Sequence, residues 1–240
     1  MKTVLVTGVS RGLGLAIATR LAADGYRVEG LSRTRSEAYG ALMSQHGNAV
    51  RFHECDVHDL DAIPGLVGEI VKDNGGALWG LVNNAGIGTD GVLATMHKSD
   101  IERLITVNLT APVIFSKYVS RGMLAARAGR IINISSIIAS TGFNGLAVYA
   151  ATKAGLEGLT RSLSREMGRR GVTVNCVAPG YMETEMTTGL DAHQMASIRR
   201  RAPLGLPDPA DAAGAVAYLL GPDAGHVTGT VMTVDGGSTA

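Results

Sequence analysis

Cysteine is nearly absent: Cys55 and Cys176 are the only two in 240 residues. That excludes a disulfide framework and a cysteine-based zinc site, and it suits a reducing, cytosol-like (cytoplasmic) compartment. No metal is expected. No apolar run approaches the roughly 18–20 uncharged residues that a membrane span needs, and the start, Met1-Lys2-Thr3-Val4-Leu5-Val6-Thr7-Gly8, is too short and turns too early for a signal peptide. An excess of one charge is also missing, since 22 basic residues face 21 acidic ones, which argues against a general nucleic-acid binder. The 32 glycines show no Gly-X-Y period, so they serve turns and close packing. There is no internal repeat, low-complexity tract or Pro/Ser linker, so a second domain has no place to start. What is present is an ordinary 45% of hydrophobic residues, enough for a full core, and an arginine bias, 17 Arg to 5 Lys. The planar guanidinium forks onto phosphate and carboxylate, so this bias is compatible with local anion recognition.

Short β-rich runs alternate with helical stretches. Strands are predicted at Val4–Val6, Tyr26–Leu31, Ala49–Glu54, Leu78–Val82, Arg130–Ile134, Val172–Val177 and Thr230–Val234. Near-continuous apolar strands separated by helices predict one α/β domain over residues 1–240, a doubly wound seven-stranded parallel sheet of Rossmann-like type. The segment from Met182 to Asp211 breaks this rhythm, with Pro203, Pro207, Pro209 and the run Arg199-Arg200-Arg201. It reads as a lid over a site or as a plain surface helix pair.

The first strand runs into Thr7-Gly8-Val9-Ser10-Arg11-Gly12-Leu13-Gly14 and then into a helix from about Leu13 to Ala23. Glycines there let the backbone approach a pyrophosphate, and the helix N-terminus offers free N–H groups and the positive end of its dipole. The placement between a strand and a helix is the context that favours a nucleotide over a turn without ligand.

The spacing is Gly-x-x-x-Gly-x-Gly. With Asn83-Asn84-Ala85-Gly86 after the fourth strand, Tyr149-x-x-x-Lys153 opening a helix and Pro179-Gly180 after the sixth strand, the chain resembles the compact short-chain dehydrogenase/reductase family over essentially its whole length. The resemblance implies strand order 3-2-1-4-5-6-7 and a nicotinamide cofactor held by Gly8, Ser10, Arg11, Gly12, Leu13, Gly14, Asn84, Ala85 and Gly86. NAD sites place an acidic residue on the ribose about 20 residues after the loop; here Ser32 holds that place, Arg33 follows it and Arg11 lies in the loop, so NADP(H) is expected, unless both arginines are merely solvated. Glu29, in mid-strand, comes too early to hold the ribose. Asp56 and Val57 resemble the family's adenine-contacting turn, though Asp56 also suits a cap for a helix from Leu60. In Pro179-Gly180-Tyr181-Met182-Glu183-Thr184, the resemblance implies a wall for the nicotinamide, with Pro179, Gly180 and Met182 in contact and Thr184 on the carboxamide, unless Thr184 merely caps a helix.

Tyr149 and Lys153 are one helical turn apart, a pairing common by chance. A free phenol has a pKa of roughly 10; a neighbouring ammonium and an oxidised nicotinamide would favour the phenolate and let Tyr149 exchange a proton with a substrate oxygen. Ser136, at the end of the fifth strand, would hold that oxygen, while Ser135 points the other way. Asn108 matches the family's helix Asn that anchors a water leading to the Lys, or else bends its helix. By resemblance, Asn108, Ser136, Tyr149 and Lys153 form the catalytic set, and Lys153 also holds the nicotinamide ribose.

The resemblance is closest to β-ketoacyl-[acyl-carrier-protein] reductases, in Asn175–Met186 and in Val227–Gly237. It implies NADPH-dependent reduction of a β-ketoacyl thioester, docking of the acidic acyl carrier protein by Arg127 and Arg170 near the pocket mouth, and a homotetramer. The tetramer would be built from helices around Asp100–Ala126 and Ala150–Arg170 and the last strand, with Ala150, Ala151, Ala154, Gly155 and Gly158 permitting close approach. Arg161, Arg165 and Arg169 recur every fourth residue and would widen the basic face, or be solvated and paired with Glu157 and Glu166, or form a subunit contact. Leu146 and Val148 stand where the reductases often carry polar residues, so a ketone reductase or alcohol dehydrogenase of another hydrophobic substrate fits nearly as well. A non-catalytic NADPH-sensing protein would have no need of Ser136, Tyr149 and Lys153 together, and an epimerase or dehydratase of the extended type needs a substrate domain for which 240 residues leave no room.

Overall fold

Every residue of the first strand, Thr3–Thr7, is buried, because its two faces pack into different cores: Val4 and Val6 on one side of the sheet, Leu5 on the other. The computed structural model describes residues 1–88, 91–182 and 192–240, without the side chains of 192–194. Seven strands, β1 (Thr3–Thr7), β2 (Arg27–Ser32), β3 (Val50–Glu54), β4 (Gly80–Asn83), β5 (Gly129–Ile134), β6 (Val172–Pro179) and β7 (Val231–Val234), form one sheet in the order β3-β2-β1-β4-β5-β6-β7. All pairings are parallel. The doubly wound architecture and its strand order are as expected from the sequence.

Helices α1 (Gly12–Ala23), α2 (Glu37–His46) and α9 (Pro209–Leu220) cover one face; α3 (Ile63–Asp73), α5 (Ala111–Ala126) and α7 (Ala147–Met167) cover the other. The remaining helices are α4 (Lys98–Ile105), the four-residue α6 (Ile138–Thr141) and α8 (Ala192–Arg201). The long helix expected around Asp100–Ala126 is α4 and α5 joined through a π-helical stretch, Thr106–Thr110. The strand order reverses between β1 and β4, and ligands in such sheets bind at the carboxyl ends of the strands flanking that point.

Two sequence expectations change. The third helix starts at Ile63, not at Leu60. Residues 56–59 are taken up by a turn in which Asp59 N bonds Asp56 O, and Pro64 is tolerated only in a first helical turn. Asp56 therefore does not cap α3; its Oδ1 accepts from His58 N at 3.0 Å. Glu29, unexplained by sequence, is fully buried and structural: Oε2 lies 2.7 Å from His53 Nε2 and Oε1 accepts from Asn74 Nδ2 at 2.8 Å. Burial pushes the carboxyl up, but these hydrogen bonds outweigh it and hold the Glu29 pKa below its usual value.

Candidate active site

The turn after β1 is built around glycine. A Cβ on Gly14 would lie 2.0 Å from Gly8 O and 2.5 Å from Asn84 Nδ2, so no side chain is possible there. Gly8 has φ +76°, a left-handed conformation that glycine adopts without strain. Asn84 secures the turn from β4: its Nδ2 donates to Thr7 O (2.9 Å) and Gly8 O (3.1 Å). Thr7 returns the grip, its hydroxyl accepting from the N–H groups of Asn84 (2.9 Å) and Ala85 (2.8 Å); sequence reasoning passed over Thr7. Gly12 and Leu13 open α1, whose N-terminal N–H groups face this turn.

The end of β2 meets the turn directly. Ser10 N donates to Ser32 Oγ at 3.2 Å, and the residues that follow each of them, Arg11 and Arg33, are exposed. No acidic side chain occupies the Ser32 position. At the end of β3, Val57 is buried and Asp56 is exposed. These residues fit a dinucleotide: a cradle that a single Cβ would fill and a helix N-terminus for the pyrophosphate.

The four sequence-selected residues converge beyond the ends of β4 and β5. The Ser136 hydroxyl stands close enough to the Tyr149 phenol to favour its phenolate. Lys153 is 4% exposed, and its Nζ lies 5.6 Å from the Tyr149 ring centroid and donates to Ile134 O at 2.8 Å. Gly86 lies between Asn108 and Lys153: a Cβ there would be in van der Waals contact with Asn108 Oδ1 at 3.4 Å and with Lys153 Nζ at 3.5 Å. Asn108, in the π-helical stretch, is fully buried; its Oδ1 accepts from Ile87 N (2.8 Å) and its Nδ2 donates to Ile87 O (2.9 Å) and approaches Thr152 Oγ1 (3.4 Å). Single-turn π-bulges recur at functional sites; here the bulge carries an amide that clamps the Asn84–Ile87 loop.

Burial drives the electrostatics. It lowers the Lys153 pKa to about 8. It raises the Tyr149 phenol, with the neighbouring Ser136 hydroxyl opposing. The lowered phenol expected from sequence is therefore not what the protein groups produce by themselves. Ser135 turns away from Ser136, as expected, but toward Glu157, which sequence reasoning treated as a surface partner of arginines; Ser135 Oγ donates to Glu157 Oε1 at 2.9 Å.

Pro179 ends β6, and its carbonyl accepts from Ile137 N at 3.1 Å. Gly180 packs on Asp235, with a Cβ allowed only 2.7 Å from the Asp235 Cβ. Met182 packs partly buried against the core, while Thr184 lies outside the described residues, as does part of the expected 182–211 lid. The described part is pinned at its end: Leu204 N donates to Gly236 O at 3.1 Å. Among the described residues no three His, Cys, Asp or Glu side chains gather as a metal site, and no helix is long and apolar enough to cross a membrane.

Arg127 and Arg170 are not at the mouth of this site. They precede β5 and β6, whereas Ser136 and Pro179 lie at the opposite ends. At about 3.3 Å per residue, the strand between Arg127 and Ser136 spans roughly 20 Å. Arg127 has φ +54° and its Nη2 donates to Arg169 O at 3.4 Å, so it also joins the C-terminal ends of α5 and α7.

The model of the family described as short chain dehydrogenase matches residues 2–195. The 3-oxoacyl-[acyl-carrier-protein] reductase FabG of Vibrio harveyi is 41% identical over 98% of this chain and 96% of its own length. The corresponding Escherichia coli (strain K12) protein is 40% identical over the same shares, and the 3-oxoacyl-[acyl-carrier-protein] reductase MabA of Mycobacterium tuberculosis (strain ATCC 25618 / H37Rv) is 40% identical over 98% and 92%. A crystal structure of a dehydrogenase/reductase from Sinorhizobium meliloti 1021 superposes with a TM-score of 0.90 at 39% identity, covering 100% of this chain and 95% of that one. A glycine turn with no room for a side chain, a buried lysine beside a tyrosine, and similarity of this extent lead to one conclusion: the chain belongs to the short-chain dehydrogenase family and is an oxidoreductase.

Proposed function

We propose that this oxidoreductase reduces the β-keto group of an acyl thioester, linked to acyl carrier protein or coenzyme A, to the β-hydroxyacyl product with NADPH. The observation that carries the chemistry is the Tyr149 ring, with the Ser136 hydroxyl beside it, 5.6 Å from the Nζ of the buried Lys153. The substrate class is supported by relatives at 40–41% identity whose names state that activity. The bound cofactor supplies the hydride. The Ser136 hydroxyl and the Tyr149 phenol hold the substrate oxygen between them, and Tyr149 gives that oxygen its proton. A phenol kept neutral by burial is a proton donor, as reduction requires. Lys153, with its pKa near 8, exchanges protons around neutrality and resupplies Tyr149. Asn108 keeps one lone pair of Oδ1 for a water on that path, while its other bonds fix the Ile87 backbone.

Arg33 and Arg11 hold the 2′-phosphate that distinguishes NADPH, beside the Ser10–Ser32 bond. A second reading keeps the same chemistry on a bulkier ketone: Leu146, Val148 and the exposed Phe143 make the segment before Tyr149 apolar. Both are tested by initial rates with NADPH and NADH on an acetoacetyl thioester and on a bulky hydrophobic ketone. The thioester with NADPH should give the highest kcat/KM, and Arg33→Ala should weaken NADPH about tenfold while leaving NADH nearly unchanged, the size of one lost charge-assisted contact. A preference for the ketone would favour the second reading, and an NADH preference would remove the cofactor assignment.

A further inference from the structure

Three successive residues at the exit of β5 face α7, and two of them are bonded to it. Ile134 O accepts from Lys153 Nζ at 2.8 Å, and the Ser136 hydroxyl stands beside the Tyr149 phenol. Between them, Ser135 Oγ donates to Glu157 Oε1 at 2.9 Å, with Lys153 O a more distant acceptor at 3.3 Å. Tyr149, Lys153 and Glu157 follow at four-residue intervals, so they share one face of the helix. Ser135 is 2% exposed and the Glu157 side chain 15%. The second Glu157 oxygen lies 3.8 Å from Arg161 Nη1, beyond hydrogen-bond length, so the strong bond of this carboxylate points inward.

The backbone around Ser136 is tied to β6, through Ser135 N to Val177 O (2.8 Å) and Ile137 N to Pro179 O (3.1 Å). Those bonds set the strand in the sheet and leave its alignment with α7 to side chains. Lys153 and Glu157 supply it, and a hydroxyl-to-carboxylate bond is of the stronger, charge-assisted kind. We propose that Glu157, acting through Ser135, is a positioning residue for the reaction: it holds the exit of β5 against α7 so that the Ser136 hydroxyl stays beside the Tyr149 phenol. The inference rests on the reading of Tyr149 and Ser136 as the pair that handles the substrate oxygen.

The test uses Glu157→Ala, Glu157→Gln and Ser135→Ala, with two readouts. The first needs neither cofactor nor substrate. Tyrosinate absorbance is titrated in each protein, and the same titration of a matched Tyr149→Phe protein is subtracted to isolate Tyr149. The neighbouring Ser136 hydroxyl favours the phenolate, so moving it away should lower the Tyr149 ionisation constant about threefold or more in both alanine variants. The second readout is turnover of an acetoacetyl thioester with NADPH. There kcat should fall about tenfold with KM for NADPH within about twofold, as expected when a catalytic group is displaced and binding is not. Glu157→Gln keeps an acceptor oxygen and should recover most of both losses. Should Glu157→Ala not fold, as judged by thermal unfolding, Ser135→Ala removes a single oxygen and carries the same test. An unchanged titration together with an unchanged kcat in a folded alanine variant would overturn the positioning role. A wild-type protein with no thioester turnover, but with the titration shifted in the variants, would overturn the substrate assignment and leave the positioning role standing.

Discussion

Lys153 shows how strongly one buried group can set behaviour at the residue scale. Its pKa falls from 10.5 to about 8 because burial penalises the ammonium, against which the bond to Ile134 O is the compensation. A lysine whose folded pKa is depressed costs stability where both states are protonated. Below pH 8 the full penalty, about 3 kcal/mol, is present; between pH 8 and 10.5 the unfolded chain binds the extra proton and the penalty is relieved as pH rises. Lys153→Met removes the penalty but leaves Ile134 O without its partner, a loss of about 1–3 kcal/mol. The two nearly cancel at pH 7, so the informative quantity is the pH dependence. Urea unfolding from pH 7 to 10.5 should show wild type gaining on Lys153→Met across that window; a constant difference would contradict a depressed lysine. That Ser135 and Ser136 point to opposite sides was legible in the sequence, because alternation along a strand sends neighbours to opposite sides. The inward turn of Glu157 was not legible: a Glu four residues before Arg161 has the pattern of a surface ion pair, and only the packing of β5 on α7 reveals the other partner. Nor was the raised Tyr149 phenol legible, because desolvation depends on how deeply the finished fold covers the ring.

At the scale of elements, the glycine turn and the helix behind it act as one unit with the loop after β4. Gly14 lies under Gly8 O, and Asn84 bonds both Thr7 O and Gly8 O. Gly14→Ala must therefore push the turn away from α1 or expel Asn84. It should weaken NADPH binding about tenfold or more while the Tyr149 titration stays that of wild type, because the turn is bonded to β2 and the loop after β4 rather than to α7. Fluorescence titration of NADPH checks this, and unchanged affinity would mean that the turn does not carry the cofactor. The turn was readable because three glycines between a strand and a helix have few structural explanations. The strands and the first helix were placed to within a few residues by apolar periodicity alone. Helix starts were harder: α3 waits for Pro64 because the turn at Asp56–Asp59 precedes it, and that local competition is invisible to periodicity. The π-helical stretch at Asn108 was equally hidden, since its residues continue the pattern of the helices on either side.

At the scale of the whole molecule, the site and the basic residues that would receive a carrier protein stand at opposite ends of the sheet. Arg127 and Arg170 can serve a substrate channel only in an assembly that brings this end of one copy beside the catalytic end of another. The helix faces are suited to that: Ile105 and Val113 are 40% and 37% exposed, and Gly158 faces open space. Gly155, expected to admit a neighbouring subunit, is already occupied by Leu109 of its own chain, with 3.1 Å left for a Cβ. Arg127→Glu combined with Arg170→Glu should raise KM for a carrier-linked β-ketoacyl substrate about tenfold or more while leaving a short free thioester unaffected, since reversed charges act on docking. Equal effects on both substrates would place these arginines in structure alone. Resemblance marked these residues, and within one chain they precede β5 and β6 while Ser136 and Pro179 lie at the opposite strand ends. The most direct test of the whole account is Tyr149→Phe, which deletes one oxygen from the site. NADPH-dependent turnover of an acetoacetyl thioester should fall by about a thousandfold or more, with NADPH affinity within about twofold of wild type; turnover retained by the folded Tyr149→Phe protein would contradict it.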